Sequence, residues 1–149
     1  SNQGHTWFVK EISLITRAAG IGRSYETLRA ASHLAALIAR NPVHEESRAA
    51  VATLLRTAFA AFATATRPDI VFFKSLYCFV RDEGYPLKQQ WFPMLVANDR
   101  DAVAALLNRP LAEQTASPDL VARLRRHMED YLGHHTEILL EGVEKGPSF

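Results

Sequence analysis

Apolar residues recur along most of this chain at spacings of three and four positions. Residues at that spacing share one face of an α-helix, so the pattern predicts amphipathic helices rather than strands. Capping residues before each apolar segment, and proline or glycine after it, mark the ends. The predicted helices run from Ser24 to Asn41-Pro42, over about 45–64, from Pro68 to Gly84, from Asn98 or Asp99 to Pro110, and from Ser117 to Gly133.

The third of these helices is apolar almost all round, with a narrow polar strip at Lys74, Tyr77 and Arg81. A helix of this kind is usually central, because several faces need cover. Segment 8–15 is interpreted as a lead-in to the first helix, and segment 87–95 as a loop or short turn packed on the core. The predicted fold is all-α, a single domain of five or six helices packed around the central apolar helix.

Length and composition narrow the class of protein. With 149 residues, 48% of them hydrophobic, and a net charge of +1, the chain suits one folded domain and not a disordered one. Its single cysteine excludes a disulfide framework and a cysteine-based zinc site. No apolar run is long enough for a membrane span and no signal peptide is visible, so we expect a cytoplasmic protein without a membrane partner. The charge of +1 gives no strong global attraction to nucleic acid.

Few residues have the spacing that catalysis needs. His127, His134 and His135 cluster near the last helix, but the HExxH pattern is missing and surface histidines are the simpler interpretation. Cys78 lies in the most apolar helix, where a buried structural thiol is the usual case. Adjacent carboxylates, such as Glu129 and Asp130, point about 100° apart on a helix and do not form an acid/base pair. We therefore predict no catalytic residues, no metal and no cofactor, and an enzyme ranks last.

Two basic groups are candidates for binding. Three arginines are close together on the last helix and suit either phosphate contacts or a solvated helix face. Lys74 and Arg81 are seven residues apart and share one face, where they could rim an apolar groove for a peptide with an aromatic residue and a carboxylate. The alternative is that both side chains cover apolar surface and keep their charges in water. The arginines are Arg123, Arg125 and Arg126, and the groove walls would be Phe73, Tyr77, Trp91 and Phe92.

The order of several motifs resembles a known family. Segment 68–85, PDIVFFKSLYCFVRDEGY, resembles the central helix of the DNA repair and recombination mediator RecO, which carries a basic residue and ends in Gly-Tyr. Segment 124–133, LRRHMEDYLG, is similar to the final helix of that family. Segment 24–40 is similar to the helix that follows the family's N-terminal domain, and 108–111 fits the turn before its last helices. The resemblance covers about residues 8–140. It implies that residues 4–149 are a C-terminal helical domain and that the N-terminal OB-fold is not in this chain. Ser1-Asn2 is typical of a protease-cleavage scar, so we expect residues 1–3 to be a cloning remnant, which fits an excised domain.

The chain also departs from the family. Many RecO proteins place paired zinc-binding cysteines after the Gly-Tyr, where this chain has Gln89-Gln90-Trp91-Phe92. Zinc is therefore not carried over. Thr136-Glu137-Ile138 replaces a basic motif near the family's C-terminus.

The resemblance implies a non-enzymatic mediator in DNA repair and recombination. The implied partners are the acidic tail of single-strand-binding protein, a RecR-type mediator, and single-stranded DNA mainly through the missing N-terminal domain. Lys74 matches a basic residue of the family's central helix and is the candidate for a tail carboxylate, while Arg123, Arg125 and Arg126 would contact DNA weakly. The alternative is a small-molecule-binding helical domain of a transcription regulator, with an apolar cavity lined by Phe59, Phe62, Phe72 and Phe79.

Overall fold

A computed structural model describes residues 10, 25–41, 43–138 and 140. Helices account for most of this part and it contains no strand, which confirms the all-α prediction. The helices pack around one continuous apolar core. They are α1 (Tyr25–Arg40), α2 (Arg48–Thr64), α3 (Pro68–Asp82), α4 (Ala97–Asn108) and α5 (Pro118–His135), with short helical turns at Glu45–Ser47, Leu87–Trp91, Phe92–Met94 and Leu111–Glu113.

Helix α3 is the centre of the bundle, as the sequence predicts. It packs against α1, α2, α4 and α5. Nine of its fifteen residues are buried. Burial of a large apolar side chain contributes about 1.5–3 kcal/mol, so this helix is a main source of the free energy of folding. The largest buried side chains of α3 are Ile70, Phe72, Phe73, Leu76 and Phe79.

Local signals fix several helix ends where the sequence predicts them. The Ser117 Oγ accepts a hydrogen bond from the backbone N–H of Leu120 at 3.1 Å and caps α5. Pro68 occupies the first turn of α3, where its missing N–H has no cost. Gly84 follows α3 with a φ of +97°, a conformation that favours glycine.

Other ends differ from the predictions. Gly133 does not stop α5, which continues to His135 before Thr136 becomes extended. Helix α4 begins at Ala97, before Asn98, and the second predicted helix starts as a short 3₁₀ turn ahead of Arg48. The predicted cap Ser24, residues 1–3, the tail 141–149 and all of the lead-in 8–15 except residue 10 lie outside the described residues.

The connector between α3 and α4 consists of short helical turns packed on the core, which is one of the two predicted forms. Leu87, Trp91 and Leu95 recur every four residues, and all three are buried against the core. Met94 precedes Leu95 and Val96 follows it, and both face outward. The connector therefore has a buried inner side and an exposed apolar outer side. Within the described part of the chain, no helix has the length and apolar character needed to cross a membrane.

Candidate partner-binding surface

The structure does not have the groove on α3 that the sequence predicts. Phe73 and Trp91 have no exposed surface, and Tyr77 is only 8% exposed. Their positions on α3 and on the connector are covered because neighbouring elements pack on nearly every side of α3. The prediction that these three side chains form groove walls is wrong, and of the four predicted walls only Phe92 is half-buried at the edge of the core.

Lys74 has a structural role in addition to any binding role. Its Nζ donates a hydrogen bond to the Arg109 carbonyl at 3.2 Å, and the Gln114 amide donates to the same carbonyl at 3.0 Å. This carbonyl follows the C-terminus of α4, where unpaired acceptors and the helix dipole both favour a cation. Lys74 therefore caps the C-terminus of α4, and its half-buried side chain has further N–H donors besides the one bonded to Arg109.

Arg81 is exposed and its Nε donates to the Asp82 carboxylate at 3.0 Å. Cys78 lies between Lys74 and Arg81 on this strip and is half-buried. Burial raises the pKa of the Cys78 thiol, against the opposing effect of Arg81. The strip therefore presents cations without adjacent exposed aromatic rings.

The structure does not bring the three predicted DNA-contacting arginines together. Arg123 forms two hydrogen bonds to the Asp99 carboxylate, at 2.9 and 3.0 Å. Arg125 pairs with Glu129 and points toward α1 and α3. Arg126 is exposed and bonds to no described residue. Arg125 diverges from the other two because consecutive helical positions are about 100° apart, whereas Arg123 and Arg126 are three residues apart and share one side of α5.

The outer side of the connector is the most exposed apolar surface next to cations. Met94 is 55% exposed and Val96 66%, while Phe92 is half-buried beside them. Elsewhere in the described part, large apolar side chains with comparable exposure occur only at Tyr25 and Leu28, at the start of α1. We call Phe92, Met94 and Val96 the turn surface.

Basic side chains lie near the turn surface along the chain. Lys88 is exposed and precedes Phe92 by four residues. Arg100 donates from Nη1 to the Leu95 carbonyl at 2.6 Å, which holds its guanidinium against the turn. Arg123 is 52% exposed and reaches Asp99, three residues after Val96. Arg123 is neutralised by the Asp99 carboxylate, so Lys88 and Arg100 are the cations left near these apolar side chains. An exposed apolar surface with cations nearby suits a peptide that is both acidic and apolar.

Helix α5 holds this connector and the first turn of α4 with polar side chains at four-residue spacing. The Trp91 Nε1–H donates to His127 Nδ1 at 3.0 Å, and the two rings meet edge to face. One turn later the Tyr131 hydroxyl donates to Gln90 at 3.0 Å, and one turn earlier Arg123 binds Asp99. We call Arg123, His127 and Tyr131 the polar ladder. It places the turn surface relative to α5.

The predicted histidine cluster divides into two environments. His127 belongs to the polar ladder, whereas His134 and His135 are exposed at the end of α5, where His135 stacks on Tyr131. Across residues 25–41 and 43–138, no group of three or more His, Cys, Asp or Glu side chains is placed to hold a metal ion.

The four phenylalanines of the small-molecule alternative are part of the solid core. Each is 3% exposed or less, and Phe59 and Phe62 meet edge to face at 6.1 Å. A depression between α2 and α3 has a volume of about 20 Å³ and is lined by Val51, Leu54 and Phe79 among others. That volume fits a water molecule and not an organic ligand.

Sequence reasoning missed Met94, Val96 and the polar ladder. The four-residue repeat of Leu87, Trp91 and Leu95 was the available signal, because it leaves Met94 and Val96 out of phase with the buried side.

Comparison with known proteins adds no relative. No family model, curated protein or solved structure matches the chain.

Proposed function

We propose that this chain is a non-enzymatic interaction domain that binds an acidic, apolar-ended peptide of a partner protein on the turn surface. The observation that carries the proposal is the exposure of Met94 and Val96 beside cations. An apolar peptide end would cover these two side chains and Phe92. Peptide carboxylates would bind Lys88 and Arg100, with bidentate geometry available to the arginine.

The resemblance to RecO supports a specific context for this binding. In that context the chain is a DNA repair and recombination mediator domain in the cytoplasm, its peptide is the acidic tail of single-strand-binding protein, and a RecR-type protein is a second partner. DNA binding by this domain alone would be weak and salt-dependent. A phosphate would have to displace Asp99 and Glu129 to reach Arg123 and Arg125, which leaves Arg126 as the available contact.

Isothermal titration calorimetry tests the proposal with a peptide of about ten residues that ends in several aspartates and an aromatic residue. We expect a Kd on the order of micromolar, typical of transient peptide recognition, that weakens as salt is raised. No heat at high protein concentration, in the presence of correctly folded protein, contradicts it.

Matched variants locate the surface. The double variant Met94→Ser/Val96→Ser is expected to abolish measurable binding, while Tyr25→Ser, which removes an equally exposed apolar side chain from α1, leaves it unchanged. Lys88→Glu and Lys74→Glu separate the turn surface from the polar strip of α3. A loss confined to Lys74→Glu assigns the peptide to α3 and refutes the turn surface.

A further inference from the structure

The hydrogen bond between Trp91 and His127 fixes the protonation state of that histidine. An indole N–H donates and cannot accept, so the His127 Nδ1 at 3.0 Å must be an unprotonated acceptor. His127 is therefore neutral in this arrangement, and its hydrogen is on Nε2. A protonated imidazole has hydrogens on both ring nitrogens and cannot make this bond.

Loss of this bond would matter because Trp91 is fully buried. A buried N–H without an acceptor is costly, and the cost is relieved if the indole moves to meet water. Phe92 follows Trp91 directly, and Met94 and Val96 come within five residues. Because this connection along the chain is short, we expect a shift of the indole to displace the turn surface.

The charged groups around His127 come from two helices. Asp99 of α4 interacts with it electrostatically, and Arg123 precedes it by one turn on α5. Tyr131 follows by one turn and is occupied by Gln90. Lys74 of α3 binds the far end of α4, about 14 Å away along that helix. On the connector, the group that meets His127 is the uncharged Trp91 indole.

We propose that His127 is a pH-sensitive positioning residue for the turn surface, which holds Trp91 while neutral and releases it when protonated. The effect on peptide binding rests on the proposed function, but the release of Trp91 does not depend on any peptide. Imidazoles change charge between about pH 8 and pH 5, whereas peptide carboxylates stay ionised over most of that range. Peptide affinity should then fall about three- to tenfold on acidification, the equivalent of one hydrogen bond.

The release is measured without peptide. In a Trp7→Phe background Trp91 is the sole tryptophan, and its indole N–H resonance reports on the bond. We expect slow solvent exchange at pH 8, and a shift with faster exchange as the pH approaches 5.5. His127→Gln offers a neutral oxygen acceptor and should keep the resonance unchanged across this range, while His134→Gln should titrate like the parent. A resonance that is constant with pH in the parent, or that titrates equally in His127→Gln, overturns the proposal.

Peptide titrations at pH 8 and pH 5.5 separate this inference from the proposed function. Affinity should drop in the parent and stay constant in His127→Gln. An equal drop in both proteins refutes the positioning role while leaving peptide binding intact. Absence of binding at both pH values, with a normal indole titration, refutes the proposed function and leaves the release of Trp91 established.

Discussion

The guanidinium carbon of Arg125 lies 3.9 Å from the centre of the Phe72 ring, so a cation from α5 rests on the central helix. The same group donates to Glu129 at 2.9 Å and to His33 Nδ1 at 3.2 Å. Arg125 therefore joins α1, α3 and α5 through one planar side chain. A lysine would keep the charge and lose both the stacking and the fork of donors.

From this geometry we expect Arg125→Lys to lower the free energy of unfolding by about 1 kcal/mol, the size of a partly buried cation–π contact. Urea denaturation monitored by circular dichroism measures the change. Arg126→Lys is the control, because Arg126 is exposed and bonds to no described residue. Equal effects at the two positions would contradict a specific role for the stacked arginine.

Phe73 and Phe92 should respond differently to truncation, because only one of them is in the interior. We expect Phe73→Ala to cost about 3–5 kcal/mol of stability, as for other buried aromatic residues. Phe92→Ser should cost less and should weaken peptide binding. Urea unfolding and calorimetry together distinguish the two. If a folded Phe73→Ala protein bound the peptide more weakly, the binding site would be on α3 and not on the turn surface.

The contrast between these two residues shows what sequence can and cannot predict here. Helix ends follow from neighbours in the chain, so Ser117, Pro68 and Gly84 are recognisable as signals. The apolar character of α3 likewise marks it as central. Which of its side chains remain exposed depends on the packing of four other helices, and no local pattern contains that information.

The same reasoning applies to the polar contacts. Lys74 meets a carbonyl 35 residues away, and Trp91 meets a histidine 36 residues away. The sequence next to Lys74 and next to Trp91 gives no sign of these distant partners. Such pairs depend on the way the helices are arranged, and for the same reason the exposed apolar side chains lie on the connector and not on α3.

Two glycines offer a test of backbone geometry with opposite signs. Gly84 has a φ of +97°, so Gly84→Ala is expected to destabilise the protein by about 1–2 kcal/mol. Gly133 is helical, so Gly133→Ala should stabilise it by about 0.5–1 kcal/mol. An added methyl group meets no atom within 4 Å at either position, so only the backbone differs. Thermal unfolding measures both, and shifts of the same sign would be inconsistent with these conformations.

The Asp99–Arg123 pair predicts a dependence of stability on acid. The hydrogen bonds from Arg123 lower the pKa of Asp99 below its usual range. A carboxylate with a lowered pKa in the folded state stabilises it above the unfolded pKa, and this contribution is lost as the pH falls through the folded value.

We therefore expect Asp99→Asn to have a lower Tm than the parent at pH 7, and this difference to become smaller as the pH is lowered to 3. The control is Asp101→Asn, which changes an exposed aspartate of α4 that bonds to no described residue. A difference between parent and Asp99→Asn that persists unchanged at pH 3 would show that the ion pair is not its source.

The chain's one thiol should be a poor nucleophile at neutral pH. Burial is the largest influence on Cys78 and raises its pKa, although Arg81 and Lys74 act in the opposite direction. Because the thiolate is the reactive form, a disulfide reagent such as Ellman's should modify the folded protein more slowly than it modifies glutathione at pH 7.5. The rate should increase with pH, and it should approach that of a free thiol in 6 M urea, where burial is lost. A folded-state rate equal to that of glutathione would mean that the two cations outweigh burial, and would make the polar strip of α3 a reactive site.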